Sequence, residues 1–188
     1  LFCLEVVLTP SITFFRKARS KMNDQYVVPA QTRIGHVHLK VSDLERALEF
    51  YRDLLGFELV QKYGNQAAFI SAGGDHHHIG LNTWHSKGMP KAPQEGVGLY
   101  HLAVVYPTRK DLAAIFDRLL KAEYPLTGAS DHGVSEAIYL NDPDGNGVEL
   151  YWDRPKELWP KTADGTIDMY TERLDIRGLL RELEEKEA

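Results

Sequence analysis

The chain has 188 residues, 43% of them hydrophobic and 26% charged, with a formal net charge of −5. That length supports one sizeable core or two small modules sharing one, and the acidic balance argues against nucleic-acid or anionic-membrane surfaces as partners. A single cysteine, Cys3, excludes an internal disulfide framework and any multi-cysteine metal site, and it points to a reducing, cytoplasmic setting.

In chain order, the opening LFCLEVVLTPSITFF has the apolarity of a signal peptide. It carries Glu5, however, and lacks both a basic start and a small-residue cleavage site. Residues 1–30 therefore read as an N-terminal extension of no assigned role. No stretch reaches the roughly 18 consecutive apolar residues of a bilayer span, so no membrane association is expected.

From residue 31 to 153 the sequence repeats itself, and a single domain of two modules, 33–86 and 98–153, is expected. RIGHVHLKVSDLERALEFYRDLLGFELV is followed by GLYHLAVVYPTRKDLAAIFDRLLKAEYPL, with His36 on His101 at an offset of 65. Further on, FISAGGDHHHIGLNTW lies over YLNDPDGNGVELYW, with Gly80 on Glu149 at an offset of 69. Each copy reads as strand, helix, then several strands. Val37, Leu39 and Val41 share one face of the first strand, and His36, His38 and Lys40 the other, because strand side chains alternate. Ser42 and Glu45 suggest a capping box ahead of the apolar spacing Leu44, Ala47, Leu48, Tyr51, Leu55, with Gly56 at the helix end. Strands are expected at Phe57–Tyr63, Gln66–Ser71 and His77–Trp84. The second copy predicts a strand near 99–106, a helix over 109–121, and a last strand Gly147–Trp152 after the turn Asn141-Asp-Pro-Asp-Gly. Residues 154–188 have no counterpart in the repeat and form a tail ending in a charged surface helix.

His36 and His101 hold the same place in the two copies, and Glu149 sits between apolar residues on the last strand. A pseudo-twofold relation would bring these three side chains to one point. Two imidazoles and a carboxylate with open positions suit Fe(II), or alternatively Mn(II) or another divalent metal. The competing reading leaves each histidine as a hydrogen-bonded strand end. Gly80, the repeat equivalent of Glu149, offers no fourth ligand.

GHVHLKVSDLERALEFYRDLLGF, GLYHLAV and DPDGNGVELYW together resemble the vicinal oxygen chelate superfamily over roughly residues 33–153. Its members include glyoxalases, bleomycin resistance proteins and extradiol dioxygenases. The resemblance implies an α+β fold of two tandem βαβββ modules forming an open, cup-shaped mixed sheet around a metal held by His36, His101 and Glu149. HHHIGLNTW and DHGVSEAIYLNDPDGNGVELY resemble the segments of catechol 2,3-dioxygenase-like extradiol enzymes. That likeness implies an acid–base role for His77, and substrate hydrogen bonding by His132 and Tyr139. His78 would face away from His77, and His76 would lie at the turn. The implied partners are a small aromatic diol and O2, on a homodimeric enzyme using neither flavin nor nicotinamide. The alternatives are a glyoxalase-like metal-dependent lyase or isomerase, or a metal-free antibiotic-binding protein of the same scaffold.

Overall fold

The computed structural model describes residues 26–93 and 95–184. The extension expected over residues 1–30 lies, up to residue 25, outside them. The chain divides into two compact units, Leu1–Ile34 and Gly35–Ala188. The described part of the first is irregular, with one turn closed by Thr32 N–H donating to the Pro29 carbonyl at 2.9 Å.

The second unit contains both copies of the repeat. The first copy runs β1 (Val37–Lys40), α1 (Leu44–Leu48, continued by a π-helical segment Glu49–Leu54), β2 (Glu58–Tyr63), β3 (Ala67–Ser71) and β4 (Ile79–Asn82). The second runs β5 (Leu102–Val105), α2 (Arg109–Lys121), β6 (Leu126–Asp131), β7 (Ser135–Asn141) and β8 (Gly147–Asp153). A 3-10 turn at Lys156–Leu158, β9 (Glu172–Arg173) and α3 (Ile176–Arg181) follow. The strands form two mixed sheets, β1-β4-β3-β2 and β5-β8-β7-β6-β9, so the fold is α+β, as expected. Within each sheet the first and last strands of the module run parallel and the other pairs antiparallel.

The repeat persists in the strand register. His38 pairs with Gly80 across β1 and β4, and Ala103 with Glu149 across β5 and β8. One strand further, Gly80 faces Phe69, and Glu149 faces Tyr139. Even the register shifts correspond, at Leu59/Gln61 in one copy and Leu126/Gly128 in the other. His38–Gly80–Phe69 and Ala103–Glu149–Tyr139 are therefore equivalent rows on equivalent faces.

The opposite faces make the core. Leu39, Ile70, Ile79 and Leu81 from the first sheet join Ile138, Leu140, Val148 and Leu150 from the second in one apolar cluster. Into it pack Leu44, Leu48 and Tyr51 of the first helix and Leu112, Phe116 and Leu119 of α2. Each such side chain, fully buried, contributes roughly 1.5–3 kcal/mol, which makes this cluster the main source of stability. The i, i+4, i+7 spacing of Leu112, Phe116 and Leu119 places them on one stripe of α2.

One local expectation is corrected. The helix α1 is capped by Asp43, whose carboxylate accepts from Arg46 N–H at 3.1 Å, and not by Ser42. Ser42 is recruited elsewhere: its hydroxyl and its N–H both donate to Asp144, at 2.6 and 3.1 Å. The side-chain capping box occurs instead at Thr108 and Asp111, ahead of α2.

The two copies are also tied by polar contacts. Tyr51 Oη donates to Asp142 Oδ2 at 3.0 Å, and Arg46 pairs with Asp144 at 2.7 Å. From α2, Arg118 donates to the carbonyls of Asp53 and Leu54, satisfying acceptors left open where the first helix ends. The C-terminal segment adds β9 to the edge of β6, and Leu179 of α3 is fully buried in the core. Among the described residues no helix is long and apolar enough to cross a membrane.

Candidate active site

Val148 and Leu150 point into the core, so strand alternation turns Glu149 to the opposite face of β8. Ala103 lies beside it on one side and Tyr139 on the other. His101, immediately before β5, brings its Nε2 to 2.9 Å from Glu149 Oε2. Tyr139 Oη donates to the other carboxylate oxygen, Oε1, at 2.9 Å. His132, in the turn between β6 and β7, places its Nε2 2.7 Å from the Tyr139 hydroxyl. Four of the six expected residues thus form one continuous row of polar contacts, a close His101–Glu149 approach followed by hydrogen bonds through Tyr139 to His132.

This row is only partly exposed: the side chain of His101 is 30% accessible and that of Glu149 13%. Burial, reinforced by the Glu149 carboxylate accepting its proton, pushes the Tyr139 phenol well above its ordinary range. Tyr139 is therefore a neutral donor throughout the physiological range.

The other two residues meet in the first module. The rings of His36 and His77 lie 4.4 Å apart, and His77 is 5.2 Å from Phe69. His76 Nδ1 is 2.7 Å from His77 Nδ1, and His78 Nδ1 is 3.0 Å from Ser71 Oγ. Desolvation, then the neighbouring His36 and His76, holds His77 below the ordinary imidazole value, which favours its neutral form.

Gly80 occupies the place of Glu149, and the structure shows why that place is empty of a carboxylate. A Cβ on Gly80 would lie 2.9 Å from Cγ of His38. The His38 ring sits over the glycine, 5.8 Å from Phe69 and 5.6 Å from Trp84. In the second copy the small Ala103 leaves the same space to Glu149. The sequence signal for this was present in the aligned repeat, as a reciprocal exchange of His and Gly for Ala and Glu.

As a donor set, His101 and Glu149 suit a divalent cation: an imidazole nitrogen and a carboxylate oxygen converge from adjacent strands. Among the described residues no three His, Cys, Asp or Glu side chains converge closely enough to hold a metal ion. His132 has a further neighbour that no sequence pattern announced. Its Nδ1 lies 3.0 Å from the Tyr170 carbonyl and 3.3 Å from Thr171 Oγ1. A main-chain carbonyl is carried by every residue type, so only the fold identifies this contact.

The chain is 40% identical over 152 residues to a catechol-2,3-dioxygenase of Bacillus subtilis, a match covering 80% of this chain and 52% of that protein. It is 33% identical to biphenyl-2,3-diol 1,2-dioxygenase 3 of Rhodococcus globerulus, over 64% of this chain and 63% of that one. The chain thus spans between half and two thirds of the length of these relatives. Among solved structures it resembles a lactoylglutathione lyase from Agrobacterium tumefaciens in fold, with 24% identity and a TM-score of 0.52, covering 66% of this chain and 96% of that one. A family model described as Glyoxalase/Bleomycin resistance protein/Dioxygenase superfamily matches residues 33–150, which take in nearly all of both modules. With that match over the duplicated βαβββ unit itself, the chain belongs to the glyoxalase/bleomycin resistance protein/dioxygenase superfamily.

Proposed function

We propose that this protein is a metal-dependent extradiol dioxygenase that opens the ring of a catechol-like diol with O2. The observation that carries this reading is the row of polar contacts from His101 through Glu149 and Tyr139 to His132. His101 and Glu149 would hold the metal, Fe(II) or else Mn(II), together with His36, whose side chain would have to be drawn in on binding because no three such side chains converge among the described residues. Bound there, the metal would supply Lewis acidity and a template for the diol oxygens and O2.

The protein's own groups then have distinct tasks. Tyr139, kept protonated, holds one oxygen of Glu149 and so fixes the direction of the other, and its single hydrogen would turn to an anionic diol oxygen once substrate is bound. His132, adjoining the same hydroxyl, can give or take a proton through Tyr139. His77, held neutral, is suited to accept the proton that a diol releases on binding. The aromatic group His38, Phe69 and Trp84 gives the same face of the first module a surface for a planar ring. A lyase of this scaffold would call for a fourth protein donor, and Gly80 beneath His38 offers none on β4.

The test is an oxygen-electrode screen of protein loaded anaerobically with Fe(II), and in parallel with Mn(II), against a panel of catechols. Oxygen uptake matched by a yellow ring-opened product is the expected result. No uptake from any catechol, with metal occupancy established by elemental analysis, overturns the reading.

A further inference from the structure

The C-terminal segment lies outside the duplicated unit, yet it reaches His132. Tyr170 engages that residue twice through its main chain. Its N–H donates to the His132 carbonyl at 3.3 Å, and its own carbonyl lies 3.0 Å from His132 Nδ1. A carbonyl only accepts, so the hydrogen in that contact belongs to Nδ1. Nε2 is then the nitrogen that faces the Tyr139 hydroxyl, at 2.7 Å.

The Tyr170 ring is seated on the turn beside His132. Gly133 has φ +76°, and a Cβ there would lie 2.6 Å from the Tyr170 ring and 2.8 Å from Pro160 Cγ. The glycine thus serves both a left-handed backbone and the close approach of the ring. Beyond Tyr170, the segment is held by β9 on β6, with Asp131 opposite Glu172, and by the buried Leu179. Arg109 adds hydrogen bonds to the Gly178 carbonyl at 3.1 Å and to Glu182 at 2.6 Å.

We propose that Tyr170, seated on Gly133, is a positioning residue whose main-chain carbonyl fixes the tautomer and aim of His132. With hydrogen on Nδ1, the ring is either neutral, with the Nε2 lone pair toward Tyr139, or doubly protonated, with Nε2–H toward the same oxygen. In the doubly protonated state Nε2–H donates to Tyr139 while the phenol donates to Glu149, and in the neutral state the phenol hydrogen turns from Glu149 to Nε2. Nδ1–H stays on the Tyr170 carbonyl in both, so a proton can pass along His132 and Tyr139 without the imidazole turning. The catalytic consequence rests on the dioxygenase reading; the tautomer itself does not.

The experiment uses full-length, metal-free protein labelled with 15N-histidine, observed by long-range 1H–15N correlation at neutral pH. His132 is assigned by its absence in His132→Gln. The wild type is expected to show hydrogen on Nδ1. Tyr170→Ala and Gly133→Ala are expected to shift His132 to the Nε2-protonated tautomer, whereas Tyr170→Phe, which keeps the ring and main chain, retains the wild-type pattern. Circular dichroism and melting establish that each variant is folded, and Tyr170→Ala decides the matter alone if Gly133→Ala is not. In metal-loaded enzyme, Tyr170→Ala is expected to lower kcat about tenfold. A wild-type Nδ1 without hydrogen, or an unchanged tautomer in folded Tyr170→Ala, overturns the proposal. Because the spectra need neither metal nor substrate, they can fail while oxygen uptake is observed, and the reverse also holds.

Discussion

Gly80 and Ala103 are small for opposite reasons: one makes room for an imidazole over β4, the other for a carboxylate on β8. The first copy fills its row with His38 and the second with Glu149, so a duplicated framework carries one acidic position rather than two. Gly80→Ala is expected to cost about 1–3 kcal/mol through overlap with His38. In a His38→Ala background most of that cost should vanish, which a double-mutant cycle in urea would measure. At Tyr139, replacement by Phe removes the oxygen shared by His132 and Glu149. We expect kcat for oxygen uptake to fall about 100-fold with the melting temperature little changed. The residue types of this site were legible from the repeat, since His36, His101 and Glu149 stand at corresponding or contrasting places. The exchange of His38 and Gly80 for Ala103 and Glu149 was visible in the aligned repeat as well, but that the His38 ring lies over Gly80 depends on rotamer and register together.

At the scale of elements, the turn after β7 does more than reverse the chain. Asp142 is almost fully buried, and its carboxylate accepts from Tyr51 Oη, from Asn146 N–H and Nδ2, and from Asp144 N–H. It organises its own turn and anchors the first helix to the second module. Burial and the Asp142 carboxylate push the Tyr51 phenol far above its ordinary range, so the donor is never lost to ionisation. Asp142→Ala strands several buried donors and is expected to cost about 2–4 kcal/mol, read as a lower urea midpoint. Tyr51→Phe leaves the turn intact and should cost about 1 kcal/mol. The turn itself was readable from Asn-Asp-Pro-Asp-Gly. That the same residues would draw Ser42 away from capping its own helix was not, because the competing acceptor, Asp144, is 102 residues away.

Over the whole molecule, ion pairs join the last strands to the C-terminal segment. Arg154 contacts Asp131 at 2.6 and 2.9 Å and Glu136 at 2.7 Å, while Arg109 links Glu136 to Glu182. Hydrogen bonding from Arg154 holds the Asp131 carboxyl below the ordinary range. A carboxyl with a depressed folded value binds protons more weakly folded than unfolded. Its stabilisation is therefore present above the unfolded value of about 3.9 and is lost as pH falls through the folded one. Arg154→Gln should accordingly move the acid-unfolding midpoint to higher pH, observable in tryptophan fluorescence, since Trp159 Nε1 donates to the Arg154 carbonyl.

The sequence by itself determined the duplicated βαβββ unit, its α+β class and the residues worth inspecting. Alternation, helical spacing and turn chemistry are local properties that a repeat states twice. Only the tertiary structure decided which side chains touch: His101 with Glu149, Tyr139 with His132, His36 with His77, and His132 with a carbonyl of the tail. Those meetings depend on strand order and register between segments far apart in the chain, and a main-chain acceptor leaves no mark in the identity of the residue that carries it.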